Sequence, residues 1–99
     1  MNSNEIYLME LIGKNIKVTN SPNINNVGIN GRIIDESKNM IAIDAGGRIC
    51  NIPKTGTEFR VSFGDAWYDI QGDAILLKPE DRTKEKRKIY KKLRRYESK

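Results

Sequence analysis

Histidine is absent from this chain, and cysteine occurs once, as Cys50. A single thiol excludes an intrachain disulfide, and without imidazole a protein-borne zinc site lacks its usual ligand set. The missing histidine also removes the commonest general base, so the residues argue against catalysis by this chain alone. No triad, phosphate loop or nucleotide-binding fingerprint is present. No apolar run approaches the roughly 20 residues of a membrane span. The first residues lack the basic-then-apolar order of a secretory signal. A single cytoplasmic domain of 99 residues is expected, long enough for one core and too short for two.

What is abundant is positive charge, and it is unevenly placed. Residues 1–77 hold 7 basic and 9 acidic side chains, whereas residues 78–99 hold 11 basic and 4 acidic. A mildly acidic body with a strongly basic end points to a polyanionic partner.

The body reads as short strands. Val27, Ile29 and Ile33, then Ile41 and Ile43, recur at every second residue, with Gly28 and Gly31 marking a bulge or close backbone approach. Asp35 to Asn39 is turn-forming. Gly46-Gly47 leads into a strand that Pro53 ends, and Phe59, Val61 and Phe63 alternate with Glu58, Arg60 and Ser62. Glycine turns then deliver two further strands, around Trp67 and over Ala74 to Leu77. Such even spacing predicts a small antiparallel barrel without exposed edges. The expected layout is an N-terminal helix over 1–12, a barrel over 13–78 and a basic helix over 79–99. The first helix either plugs the core or offers a face to a partner protein; plugging is favoured.

The last helix would carry Ile89, Leu93 and Tyr96 as a thin apolar stripe, with Lys84, Arg87, Lys88, Lys91 and Arg95 on the remaining surface. A solvated face, a membrane-surface helix and a nucleic-acid-binding helix compete as readings. Dense like charge disfavours the first, and a narrow stripe without Trp or Phe disfavours the second. Clustered Lys and Arg that release counterions favour the third. RNA is preferred to DNA, with Arg32, Lys38, Lys54 and Arg60 as exposed candidates. Arg32 has the competing option of pairing with Asp35 or Glu36. Trp67 and Tyr68 are available for base stacking, although aromatics within strands more often belong to a core. Asp35/Glu36 and Asp65/Asp69/Asp73 are the only carboxylate groupings; a Mg²⁺ nuclease built on the latter is conceivable, but turn geometry accounts for them more simply.

Four pieces in order, ELIGKNIKV (10–18), GINGRIIDESKNMIAI (28–43), IPK (52–54) and IQGDAILLKPEDR (70–82), resemble archaeal ribonuclease P protein component 1. The resemblance implies a mostly β, strongly bent, Sm-like antiparallel barrel with a helix at each end. It implies a non-catalytic subunit of the ribonucleoprotein that removes the 5′ leader from precursor tRNA, the RNA performing hydrolysis with Mg²⁺. No cofactor bound by the chain itself is implied. Partners would be ribonuclease P RNA, a small zinc-ribbon subunit and the other holoenzyme proteins. Tyr7, Leu8, Ile89, Leu93 and Tyr96 then become protein-interface candidates, and Arg82 joins the RNA-binding cations. A ribosome-associated or other Sm-like RNA binder is the rival reading.

Overall fold

Alternation of apolar and polar residues produces six strands: β1 (Asn15–Asn20), β2 (Asn30–Glu36), β3 (Met40–Ala45), β4 (Arg48–Pro53), β5 (Glu58–Phe63) and β6 (Ala66–Gln71). They come from a computed structural model that describes Tyr7 and residues 9–82. All pair antiparallel in one sheet of order β4-β3-β2-β1-β5-β6. The inward positions Ile16, Val18, Ile33, Ile41, Ile43, Ile52, Phe59, Val61, Phe63 and Ile70 form the core, joined by Tyr7, Leu11, Ala74 and Ile75. Burying each large apolar side chain contributes about 1.5–3 kcal/mol, which is what holds a sheet this small in one register.

Two irregularities bend the sheet. Pairing shifts between Val18 and Asn20 in β1 and between Ile33 and Asp35 in β2. A bulge sharpens local twist and curls the strand that carries it. At Gly31 the close approach foreseen from sequence is real, because a Cβ there would lie 2.1 Å from the Asp44 carbonyl oxygen. The curl brings the ends of the two outer strands together beyond their ladders. Thr57 N–H donates to the Lys54 carbonyl at 3.1 Å, and Gly72 N–H donates to the Thr57 carbonyl at 2.8 Å.

Four expectations are corrected. The barrel is not closed, since β4 and β6 share no ladder and remain the two edges of the described sheet. Ala74 belongs not to a strand but to a 3-10 turn, Gly72–Ile75, in which Ala74 and Ile75 are both buried. Consecutive inward residues are incompatible with strand alternation. The first hairpin strand begins at Asn30 rather than Val27, which caps the 3-10 turn Ile24–Asn26. Met9 to Ile12 are irregular, with a bend at Met9 and a turn at Ile12, instead of continuing a helix. The remainder of the expected N-terminal helix apart from Tyr7, including Leu8, lies outside the described residues. So does the helix expected over 79–99 beyond Arg82, where only the 3-10 turn Pro79–Asp81 is described.

A buried ion cluster and a candidate RNA interface

The bulge in β2 has a chemical consequence. It places residues 34 and 35 opposite Ala42, so the inward position after Ile33 falls to Glu36, which pairs with Ile41. Glu36 is buried, and two cations meet its Oε2 atom. Lys54 Nζ donates to it at 2.8 Å, and Arg82 Nη1 donates to the same oxygen. Lys54 has no exposed surface and Arg82 almost none. Lys54 Nζ also reaches the carbonyls of Ser37 at 2.7 Å, Ile75 at 2.8 Å and Leu77 at 3.2 Å. Arg82 Nη2 donates to the Met9 carbonyl at 3.2 Å.

One anion thus faces two cations, and backbone carbonyls make up the remaining negative potential. Burial pulls the Lys54 ammonium below its ordinary pKa of 10.5; hydrogen bonding and charge attraction from Glu36 oppose this, and Arg82 adds to the lowering. Glu36 Oε1 and Arg82 Nε have no hydrogen-bond partner among the described residues. Mechanically, the cluster ties the turn after β2 to the exit of β4, to the segment after β6 and to the backbone at Met9.

Lys54 and Arg82 are therefore corrected from candidate phosphate ligands to buried ion-pair partners. Lys54 was legible: the inward alternation Cys50, Ile52 extends to residue 54, so a lysine there needs an anion inside. Glu36 was not, because the bulge inverts the parity that Ile33 sets. Tyr7, expected at a protein interface, lies in the core with 5% exposure, and its hydroxyl accepts from Gln71 N–H at 2.9 Å. That position agrees with the plugging role favoured for its segment.

The outer face of the sheet carries a row of exposed cations. Lys17 of β1 stands opposite Arg60 of β5, which stands opposite Asp69 of β6. Two residues along, Trp67 faces Ser62, and Arg32 faces Asn15. Lys17, Arg32 and Arg60 are exposed, and Trp67 is 52% exposed. Arg60 Nε pairs with Asp69 Oδ1 at 3.0 Å, both side chains being largely in solvent. Such a surface pair contributes about 0–1 kcal/mol, so a phosphate can replace the carboxylate at little cost. Arg32 pairs with neither Asp35 nor Glu36: Asp35 Oδ1 accepts from Glu36 N–H, and Glu36 is inside. Lys38 is exposed in the turn after β2, away from this row. Lys17 escaped the sequence reading because one lysine in an alternating strand carries no signal until its cross-strand neighbour is known. Lys84, Arg87, Lys88, Lys91, Arg95, Ile89, Leu93 and Tyr96 lie outside the described residues.

The three aspartates of the nuclease reading do not assemble. Asp69 is engaged by Arg60, Asp73 Oδ1 accepts from Gly56 N–H at 2.8 Å, and no metal-holding cluster of carboxylates forms among the described residues. No helix among them is long and apolar enough to cross a membrane.

Comparison with known proteins agrees with this architecture. The chain is 38% identical over 90 residues to ribonuclease P protein component 1 of Thermoplasma acidophilum, covering 91% of this chain and 99% of the relative. It is 40% identical over 88 residues to the same protein of Thermoplasma volcanium, covering 89% and 96%. A solved structure described as Mth11, a homologue of human RNase P protein Rpp29, superposes with a TM-score of 0.57 at 32% identity. That match covers 75% of this chain and 97% of the other. A family model described as ribonuclease P/MRP, subunit p29, matches residues 4–85, and the chain belongs to that family.

Proposed function

We propose that this chain is a non-catalytic RNA-binding subunit of ribonuclease P that assists removal of the 5′ leader from precursor tRNA. The supporting observation is the match, over nearly their whole length, to relatives named as ribonuclease P protein components. Electrostatics supplies the mechanism. Lys17, Arg32 and Arg60 on the sheet, Lys38 in its turn and the cations of the basic end neutralise phosphates, so the RNA compacts at lower Mg²⁺. Hydrolysis belongs to the RNA and its Mg²⁺ in this reading. The ion cluster supports the role indirectly, by fixing where the basic end leaves the domain through Arg82. Partners are ribonuclease P RNA and, among the holoenzyme proteins, a small zinc-ribbon subunit met through Leu8, Ile89, Leu93 and Tyr96. The site of action is the cytoplasm.

Affinity purification of the full chain from native cells, with sequencing of the retained RNA, tests the assignment. Ribonuclease P RNA should dominate. Enrichment of ribosomal RNA in its place would overturn the assignment in favour of a ribosome-associated binder.

A further inference from the structure

We infer that a cavity beside β4, remote in sequence from the cationic row, holds one unpaired nucleobase of the bound RNA. The inference rests on the RNA-binding role proposed above and adds a site to it. The cavity has a volume of about 470 Å³ and is lined in part by Asn25, Asn26, Arg48, Asn51, Ile29 and Ile52. That volume falls within the roughly 300–1,000 Å³ typical of sites for small organic groups.

The lining suits a base better than an apolar ligand. Side-chain amides of Asn25, Asn26 and Asn51 offer paired donors and acceptors, the complement of a base edge. None of the three meets a hydrogen-bond partner among the described residues. The turn that carries two of them is satisfied internally: Asn25 N–H donates to Asn23 Oδ1 at 3.0 Å, and Asn26 N–H donates to the Asn23 carbonyl at 3.0 Å. Its amides are thus presented from a fixed backbone. Ile29 and half-exposed neighbours give an apolar wall for the flat face of a base, and Ile52 is fully buried behind them.

The strand edge adds further groups. Gly46 and Gly47, with φ of 70° and 94°, make the two-residue turn whose geometry matches sheet twist. Ala45 and Arg48 flank it and pair, so alternation turns the backbone polar groups of Ile49 and Asn51 toward the free edge. Arg48 is exposed and in no ion pair among the described residues, and so is available to the phosphate of the same nucleotide.

Backbone-amide NMR of the full chain, titrated separately with adenosine, guanosine, cytidine and uridine 5′-monophosphates, tests the site. The expected result is saturating shifts at Asn25, Asn26 and residues 48–52, with one base bound more tightly than the others. Asn51→Leu and Asn25→Ala should each weaken that base about fivefold, the loss of one hydrogen bond. Ribose 5-phosphate should leave Asn25, Asn26 and residues 49–52 unmoved and shift Arg48 at most. Equal shifts with ribose 5-phosphate, or no effect of either substitution, would overturn the proposal. So would shifts confined to Lys17, Arg32 and Arg60, and that outcome would leave the RNA-binding role standing. Failure to retain ribonuclease P RNA in the purification would overturn that role separately, and the titration would still judge the cavity.

Discussion

Two cations share one carboxylate oxygen inside this domain, and removing that carboxylate leaves both without a counter-charge. Breaking a buried pair from one side costs about 3–5 kcal/mol, a large share of the roughly 5–15 kcal/mol that holds a domain folded. Glu36→Gln should therefore lower the urea midpoint by an amount that Lys38→Gln, in the exposed turn nearby, does not approach. Lys54 gives a second expectation, in pH. Its folded pKa lies below 10.5, so between the two values the unfolded chain binds more protons and stability rises with pH. Urea titrations of wild type and Lys54→Met at several alkaline pH values should show the wild type gaining on the variant as pH approaches 10.5. At this scale the sequence was only half legible. Period two places Lys54 inward, but no local signal announces that Glu36 turns with it, because a bulge is visible only once its partner strand is in place.

Strands were the legible elements, because all but β2 place one apolar residue in two on the inward face over six positions. The AILL run was not, since four apolar residues in a row suit a buried strand and a buried turn equally. Packing decides between them. The Gly72 backbone lies against the Lys54 carbonyl, where an added Cβ would sit 1.9 Å from that oxygen. This contact joins the exits of β4 and β6. Gly72→Ala should force these segments apart and cost about 1–3 kcal/mol or more, measured by chemical denaturation. Because Gln71, the residue before Gly72, donates its N–H to the Tyr7 hydroxyl, near-ultraviolet circular dichroism should also report altered packing around Tyr7. The closed barrel was over-read for a related reason. Even strand spacing does not say whether the two edge strands of the sheet meet.

For the whole molecule, charge is sorted by depth as well as along the chain. Three of its strongest motif residues, Glu36, Lys54 and Arg82, are spent on architecture, and the exposed cations among the described residues are Lys17, Arg32, Lys38, Arg48, Arg60 and Lys78. Composition alone made a polyanionic partner legible; which cations face it was not, because burial is a tertiary property. Reversing Lys84, Lys88, Lys91 and Arg95 to Glu should raise the Mg²⁺ needed for cleavage of precursor tRNA by the reconstituted holoenzyme, at unchanged stability of the domain. The most direct measurement is binding of the full chain to ribonuclease P RNA across a salt series, with Lys17, Arg32 and Arg60 intact or all replaced by Glu. The account predicts affinity that falls steeply with salt, a slope shallower by about 2–3 in the triple variant, and no cleavage by the protein alone. Binding indifferent to salt, or cleavage of precursor tRNA without the RNA subunit, would contradict it.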